Sequence, residues 1–141
     1  MKTRFAAYGL AFIHKNNQIL LLKRSDKASF APGHYCLVGG LLEKNETFRT
    51  ALVRELHEEI GITVSEADLH FVHMYHRLGT ESELVGGIFE CTTWQGEPFN
   101  KEPEKHSEFG WFDLDNLPSP MVTAHRNVLA LIKKKELYSE Q

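Results

Sequence analysis

The chain has 141 residues, 42% of them hydrophobic, and a formal net charge of −3. That is enough apolar material for one core and leaves no basic footprint, which argues against a duplex nucleic acid partner while leaving small phosphorylated ligands open. Cys36 and Cys91 form neither a disulfide framework nor a C-x-x-C pair, and no apolar stretch approaches the ~20 residues of a membrane span, so one cytoplasmic domain over residues 1–141 is expected.

Lys2 and Arg4 precede apolar residues 5–13 in the manner of a secretory leader. The run is short, is broken by Tyr8 and lacks a small-residue cleavage site, so it reads as a strand. Lys15, Asn16 and Asn17 separate it from a second apolar run at 19–22, a hairpin signal. Residues 25–35, with Asp26, Pro32 and Gly33, read as a loop, and 35–38 as a short strand leading into Gly39 and Gly40. A helix is expected over 47–60, with Asn45 or Glu46 near its start and Gly61 stopping it.

Residues 69–77 and 84–93 have strand character and flank a polar, glycine-containing turn at 78–83, which suggests a second antiparallel pair. The stretch 95–108 is polar and turn-rich, 109–112 is a short aromatic strand, and 113–120 is a loop. Apolar spacing at Val128, Leu129, Leu131, Ile132 and Leu137, with basic residues near the end, predicts a closing helix over 122–137.

One stretch carries most of the chemistry. Gly40, Glu46, Arg54, Glu55, Leu56, Glu58, Glu59, Gly61 and Ile62 fit the pattern G, five residues, E, seven residues, then R-E-apolar-x-E-E-x-G-apolar, a chance match on the order of one chain in ten million at ordinary residue frequencies. At ~100° per residue, Glu55, Glu58 and Glu59 share about a third of the helix circumference beside an apolar stripe of Leu52, Val53, Leu56 and Ile60. Like charges one turn apart repel by roughly 0.2–0.5 kcal/mol each on an exposed helix, and by more when partly desolvated, so a cation belongs at that site. Oxygen ligands without Cys or His at metal spacing favour Mg²⁺ or Mn²⁺ over zinc. His57 lies on the far side of the same helical wheel and is not counted as a ligand.

The pattern resembles the signature box of the Nudix hydrolase superfamily, and the similarity extends to its MutT-like branch of nucleoside triphosphate pyrophosphohydrolases. The resemblance implies an α/β/α sandwich with a mixed central sheet and a loop-helix-loop catalytic element, and Mg²⁺-dependent hydrolysis of a phosphoanhydride in a nucleoside triphosphate or other nucleoside diphosphate derivative, releasing pyrophosphate and a nucleoside monophosphate. It assigns Glu55, Glu58 and Glu59 to the metal together with the Gly39 carbonyl, Glu55 also to orienting or deprotonating water, and Arg54 with Glu46 to organising the acids. The sequence from Gly96 to Glu102 looks like the MutT loop that brings in a distal glutamate, which points to Glu102, with Glu104 and Glu108 as nearby alternatives. Arg24, with Lys23 beside it, resembles the position that meets substrate phosphate, where a guanidinium fork can bind bidentately. Tyr35, Tyr75, Phe89 and Trp111 are aromatics able to stack a base or fill the core.

The chain departs from the family pattern at Val38, where a proline is frequent, and at Asn45, where a glycine is. The asparagine by which MutT reads an oxidised guanine has no clear counterpart at 121–124. Substrate choice therefore stays open: a nucleotide sugar, dinucleotide or prenyl diphosphate fits the box as well, and a non-catalytic nucleotide sensor is the reading from another class. The motif does not speak to oligomeric state.

Overall fold

The computed structural model describes residues 1–79 and 83–141. Strands β1 (Phe5–Lys15) and β2 (Gln18–Arg24) alternate two sets of apolar side chains, and that alternation sets the architecture. Ala11, Ile13, Leu20 and Leu22 face one side, Leu10, Phe12, Ile19 and Leu21 the other, and all eight are buried. Strands buried on both faces need cover on both. Helix α1 (Phe48–Ile60) supplies Leu52, Leu56 and Ile60 to the first side, and helix α2 (Thr123–Lys133) supplies Val128 and Leu129 to the second. Each such side chain contributes roughly 1.5–3 kcal/mol by leaving water.

Between the helices lies an eight-stranded mixed sheet, completed by β3 (Tyr35–Cys36), β4 (Val38–Leu41), β5 (His70–Arg77), β6 (Glu83–Cys91), β7 (His106–Asp113) and β8 (Tyr138–Glu140). Strand β1 is central, running parallel to β6 and antiparallel to β4, while β2 pairs antiparallel with β3 and β7. The β1–β2 hairpin turns through Asn16 and Asn17, both at positive φ (54° and 61°), the backbone that a two-residue hairpin requires and that asparagine tolerates. The expected α/β/α sandwich is therefore the observed one.

Three boundaries differ from expectation. The strand foreseen over 35–38 is broken at Leu37 into β3 and β4, because the Leu37 amide turns away from the ladder to donate to His125 Nδ1 at 3.1 Å. The closing helix ends at Lys133 rather than at 137: Lys135 takes φ 60°, and the chain then runs back along β5 as β8, a strand the sequence did not suggest. Strand β7 begins at His106 rather than at 109, whereas helix α1 starts where expected, on Thr47, whose hydroxyl accepts from the Thr50 amide while the Thr50 hydroxyl accepts from the Thr47 amide at 2.8 Å. Residues 80–82 of the turn expected at 78–83 lie outside the described residues.

Candidate metal and nucleotide site

Helix α1 presents its acids in graded exposure. Glu59 is buried at 5% relative accessibility, the Glu55 side chain is 15% exposed and that of Glu58 is 50% exposed. Arg54 ties this row to the preceding loop. Its Nε donates to Glu46 Oε2 at 2.7 Å, one Nη to Glu46 Oε1 at 2.9 Å, and the other Nη to Glu55 Oε1 at 2.9 Å and Glu58 Oε2 at 3.3 Å. The Leu41 carbonyl accepts a further bond at 3.2 Å. Arg54 holds the Glu46 carboxyl down at about 2, so Glu46 is an anion at any physiological pH, and Glu46 and Glu55 together raise the guanidinium well above its ordinary range.

The glycines before the helix make room for these acids. Gly39 has φ 147°, and a Cβ there would collide with the Gly9 carbonyl of β1, so only glycine lets β4 approach this closely. Its amide donates to Glu59 Oε1 at 3.2 Å. A Cβ on Gly40 would stand 2.6 Å from Glu55 Oε1, in the space the carboxylate occupies.

The distal loop reaches the same point by docking on the C-terminal end of α1. The amides of Phe99 and Lys101 donate to the carbonyls of Ile60 and Glu59 at 3.1 Å each, and the Asn100 side chain donates to the His106 carbonyl at 2.8 Å. Glu102 and His106 are thereby brought to Glu59, with one ligand atom of each within 4.8 Å of the others. Burial pushes the Glu59 carboxyl well above its usual range, and Glu55 and Glu102 add to it; burial lowers the His106 imidazole, whose Nδ1 is enclosed with no hydrogen-bond partner among the described residues. One buried acid facing two half-buried ones, beside an imidazole without a complete set of partners, suits a divalent cation. These groups border a cavity of about 450 Å³ that also has Gly39, Glu55, Glu104, Lys105 and Arg24 on its wall.

The foreseen residues thus divide. Gly39, Glu55, Glu59 and Glu102 converge on this cavity; Glu58 is not on its wall and rests its carboxylate on Arg54, and Arg54 and Glu46 brace the group from outside. Of the alternative distal acids, Glu104 borders the cavity, whereas Glu108 accepts from Tyr35 Oη at 2.7 Å and pairs with Lys23 at 3.6 Å. Lys23 is thereby turned away, while Arg24 lies between the 450 Å³ cavity and an adjoining one of about 740 Å³. Arg24 Nε donates to the Phe30 carbonyl at 2.6 Å, so the same side chain also anchors the 25–34 loop.

Among the four candidate stacking aromatics, Tyr75 borders the larger cavity; Phe89 packs with Phe48 and Phe71, Trp111 stacks on Trp94, and Tyr35 is engaged with Glu108. Sequence reasoning missed His106, Arg77 and His125. His57 is exposed and offers its carbonyl to Lys101, in keeping with its exclusion. His106 lies two residues before Glu108 in the stretch read as loop, and no periodic signal marks it.

Comparison with known proteins agrees with this geometry. The NUDIX domain profile matches residues 3–132. The chain is 34% identical over 106 residues to an ADP-ribose pyrophosphatase of Methanocaldococcus jannaschii, covering 75% of this chain and 60% of that protein. It is 33% identical over 110 residues to the NAD-capped RNA hydrolase NudC of Chromobacterium violaceum, covering 76% of this chain and 39% of that one. It therefore spans less than two thirds of the length of these relatives. An 8-oxo-dGTP diphosphatase of Escherichia coli is matched over 86% of this chain and 90% of its own, at 31% identity. Among solved structures, a MutT NUDIX hydrolase from Burkholderia pseudomallei superposes with a TM-score of 0.82 at 29% identity, covering 90% of this chain and 97% of that one. With a domain match across nearly the whole chain, and Glu55 and Glu59 of the box on one cavity, the chain belongs to the NUDIX family.

Proposed function

We propose that this chain is a Mg²⁺-dependent pyrophosphohydrolase, with Mn²⁺ able to substitute, that cleaves a phosphoanhydride in a nucleoside triphosphate or a related nucleoside diphosphate derivative. The observation that carries it is the meeting of Glu55, Glu59 and Glu102 on one cavity, beside a second large enough for a nucleoside. Glu55, Glu58, Glu59 and Glu102, with the Gly39 carbonyl, would hold the ion. When bound, the ion offsets phosphate charge and lowers the pKa of coordinated water.

The chain's own residues do the rest. Arg54, locked on Glu46, fixes the Glu55 carboxylate toward the cavity, where it orients the attacking water or accepts its proton. Arg24 lies where a phosphate entering between the two cavities would meet its guanidinium. The 25–34 loop that Arg24 anchors gives Ser25 and Ala28 to the wall of one cavity and Phe30 to the other. The products expected are pyrophosphate and a nucleoside monophosphate. Residues 1–141 act as one domain, and a cytoplasmic location is part of this reading. No helix among the described residues is long and apolar enough to cross a membrane.

The test is a panel of nucleoside triphosphates, nucleotide sugars and dinucleotides incubated with Mg²⁺, with products identified and Glu59→Gln as control. Release of pyrophosphate from triphosphates only by the unmutated protein supports the assignment. Tight nucleotide binding with no release above the control rejects it in favour of a sensor.

A further inference from the structure

The 740 Å³ cavity contains a histidine whose hydrogen-bonding capacity is set by the fold. His125 stands in the first turn of α2 and borders the cavity. Its Nδ1 faces the Leu37 amide at 3.1 Å, a donor left free by the break between β3 and β4. A backbone N–H can only donate, so Nδ1 is the accepting nitrogen and the proton of the neutral ring sits on Nε2. Burial, with Arg24 and Arg77 nearby, pushes the imidazole down to about 4 and keeps it neutral. Among the described residues Nε2 has no hydrogen-bond partner, and the ring borders the cavity.

The surroundings of that N–H are also rich in donors. Arg24 and Arg77 contribute guanidinium groups that cannot accept. The one acidic side chain on the described wall is Glu59, at the end shared with the smaller cavity. A ligand filling this space must present acceptors to His125.

We infer that His125 is a specificity-determining residue, its Nε2–H donating to a ring carbonyl and thereby favouring guanine, uracil and thymine nucleotides over adenine nucleotides. This rests on the nucleotide reading above. Adenine in the same pose directs an amino group at an N–H, so a buried donor loses its partner. A site built to bond a group discriminates strongly against an analogue that lacks it, here by about tenfold to a hundredfold.

The test measures kcat/KM for GTP, UTP and ATP in the unmutated protein, H125N and H125L. GTP and UTP are expected to exceed ATP by about tenfold or more, the ratio collapsing in H125L and returning in part in H125N, whose amide can still donate. In the unmutated protein, inosine triphosphate should likewise exceed purine-riboside triphosphate, which lacks the 6-oxygen; this comparison stands even if the variants fold poorly. Equal use of ATP, or an H125L loss that is uniform across bases, overturns the inference. Calorimetric titration with GMP, UMP and AMP in the absence of metal gives the same ranking without turnover, so absence of hydrolysis would reject the enzyme reading while leaving base selection decided.

Discussion

Arg54 and Glu46 meet fork to fork, with Nε to Oε2 at 2.7 Å and Nη2 to Oε1 at 2.9 Å across eight residues of chain. An ordinary surface ion pair stabilises little, but this guanidinium is only 22% exposed and spends its remaining donors on Glu55, Glu58 and the Leu41 carbonyl. Its effect is geometric: one rigid plane sets the spacing of three carboxylates. A lysine keeps the charge and loses the fork. Arg54→Lys should lower kcat/KM and Mn²⁺ affinity by about 10–100-fold with circular dichroism unchanged, as expected when the support of metal ligands is loosened. Calorimetric Mn²⁺ titration together with steady-state kinetics checks this, and wild-type values for both in the lysine variant would refute a positioning role.

Gly39 and Gly40 are adjacent but should fail differently. A methyl at Gly39 meets backbone of β1 at a positive φ, so Gly39→Ala should destabilise by on the order of 1–3 kcal/mol from strain alone. A methyl at Gly40 meets the Glu55 carboxylate at 2.6 Å, the movable end of a side chain. Gly40→Ala should therefore keep its denaturation midpoint and lose metal affinity. Urea unfolding and Mn²⁺ titration on both variants separate the two outcomes.

Glu59 has two acidic neighbours and almost no solvent, so its charge is destabilising until a cation arrives. Saturating Mg²⁺ or Mn²⁺ should raise the melting temperature, since a ligand at 100 times its Kd adds about 2.7 kcal/mol to folding. Glu59→Gln should melt no lower than the metal-free parent and lose that rise. Glu58, half exposed and resting on Arg54, should behave otherwise: Glu58→Gln lowers turnover with metal-free stability unchanged. Differential scanning fluorimetry across a metal titration reads all three proteins, and a full metal-induced rise in Glu59→Gln would remove Glu59 from the ligand set.

The fold was legible because its causes are local. Ala11 and Ile13 alternate with Leu10 and Phe12 on a single strand, and the Leu52, Leu56, Ile60 stripe has helical period, so layers and cover follow from periodicity. The neighbourhood of Glu55 and Glu59 followed from the same arithmetic. What escaped depends on contacts without a period. His106 reaches Glu59, beside the foreseen Glu102, only because the Phe99 and Lys101 amides bond the end of α1, and a polar loop carries no signature of where it docks. Strand β8 was hidden for a similar reason: Leu137 continues the apolar spacing of α2, but Lys135 turns the chain at positive φ before it arrives.

His125 makes stability depend on pH. Its folded pKa of about 4 lies below the ordinary value of 6.5, so the folded protein binds fewer protons than the unfolded chain between the two. Stability from keeping the ring neutral is therefore complete above pH 6.5 and is lost as pH falls toward 4, by about 3 kcal/mol at most. Unfolding free energies measured between pH 7.5 and 4.5 should fall along this course. The slope should flatten in His125→Asn, and an identical slope in that variant would assign the effect to other groups.

His73 secures the strand that the sequence concealed. It is fully buried on β5, with Nδ1 at 2.7 Å from the Glu136 carbonyl and Nε2 at 2.8 Å from Ser139 Oγ. A carbonyl can only accept, so Nδ1 carries the proton and Nε2 receives the serine hydroxyl. One ring thus holds both the turn after α2 and β8, and Gln141, the residue after β8, borders the larger cavity. His73→Leu removes both bonds and leaves the Glu136 carbonyl and the Ser139 hydroxyl without partners, at a cost of about 1–3 kcal/mol. Hydrogen exchange at residues 138–140 should accelerate in this variant, while exchange in α1 follows only the global loss of stability. Unchanged protection at β8 would mean that its ladder to β5 suffices, with His73 merely filling space.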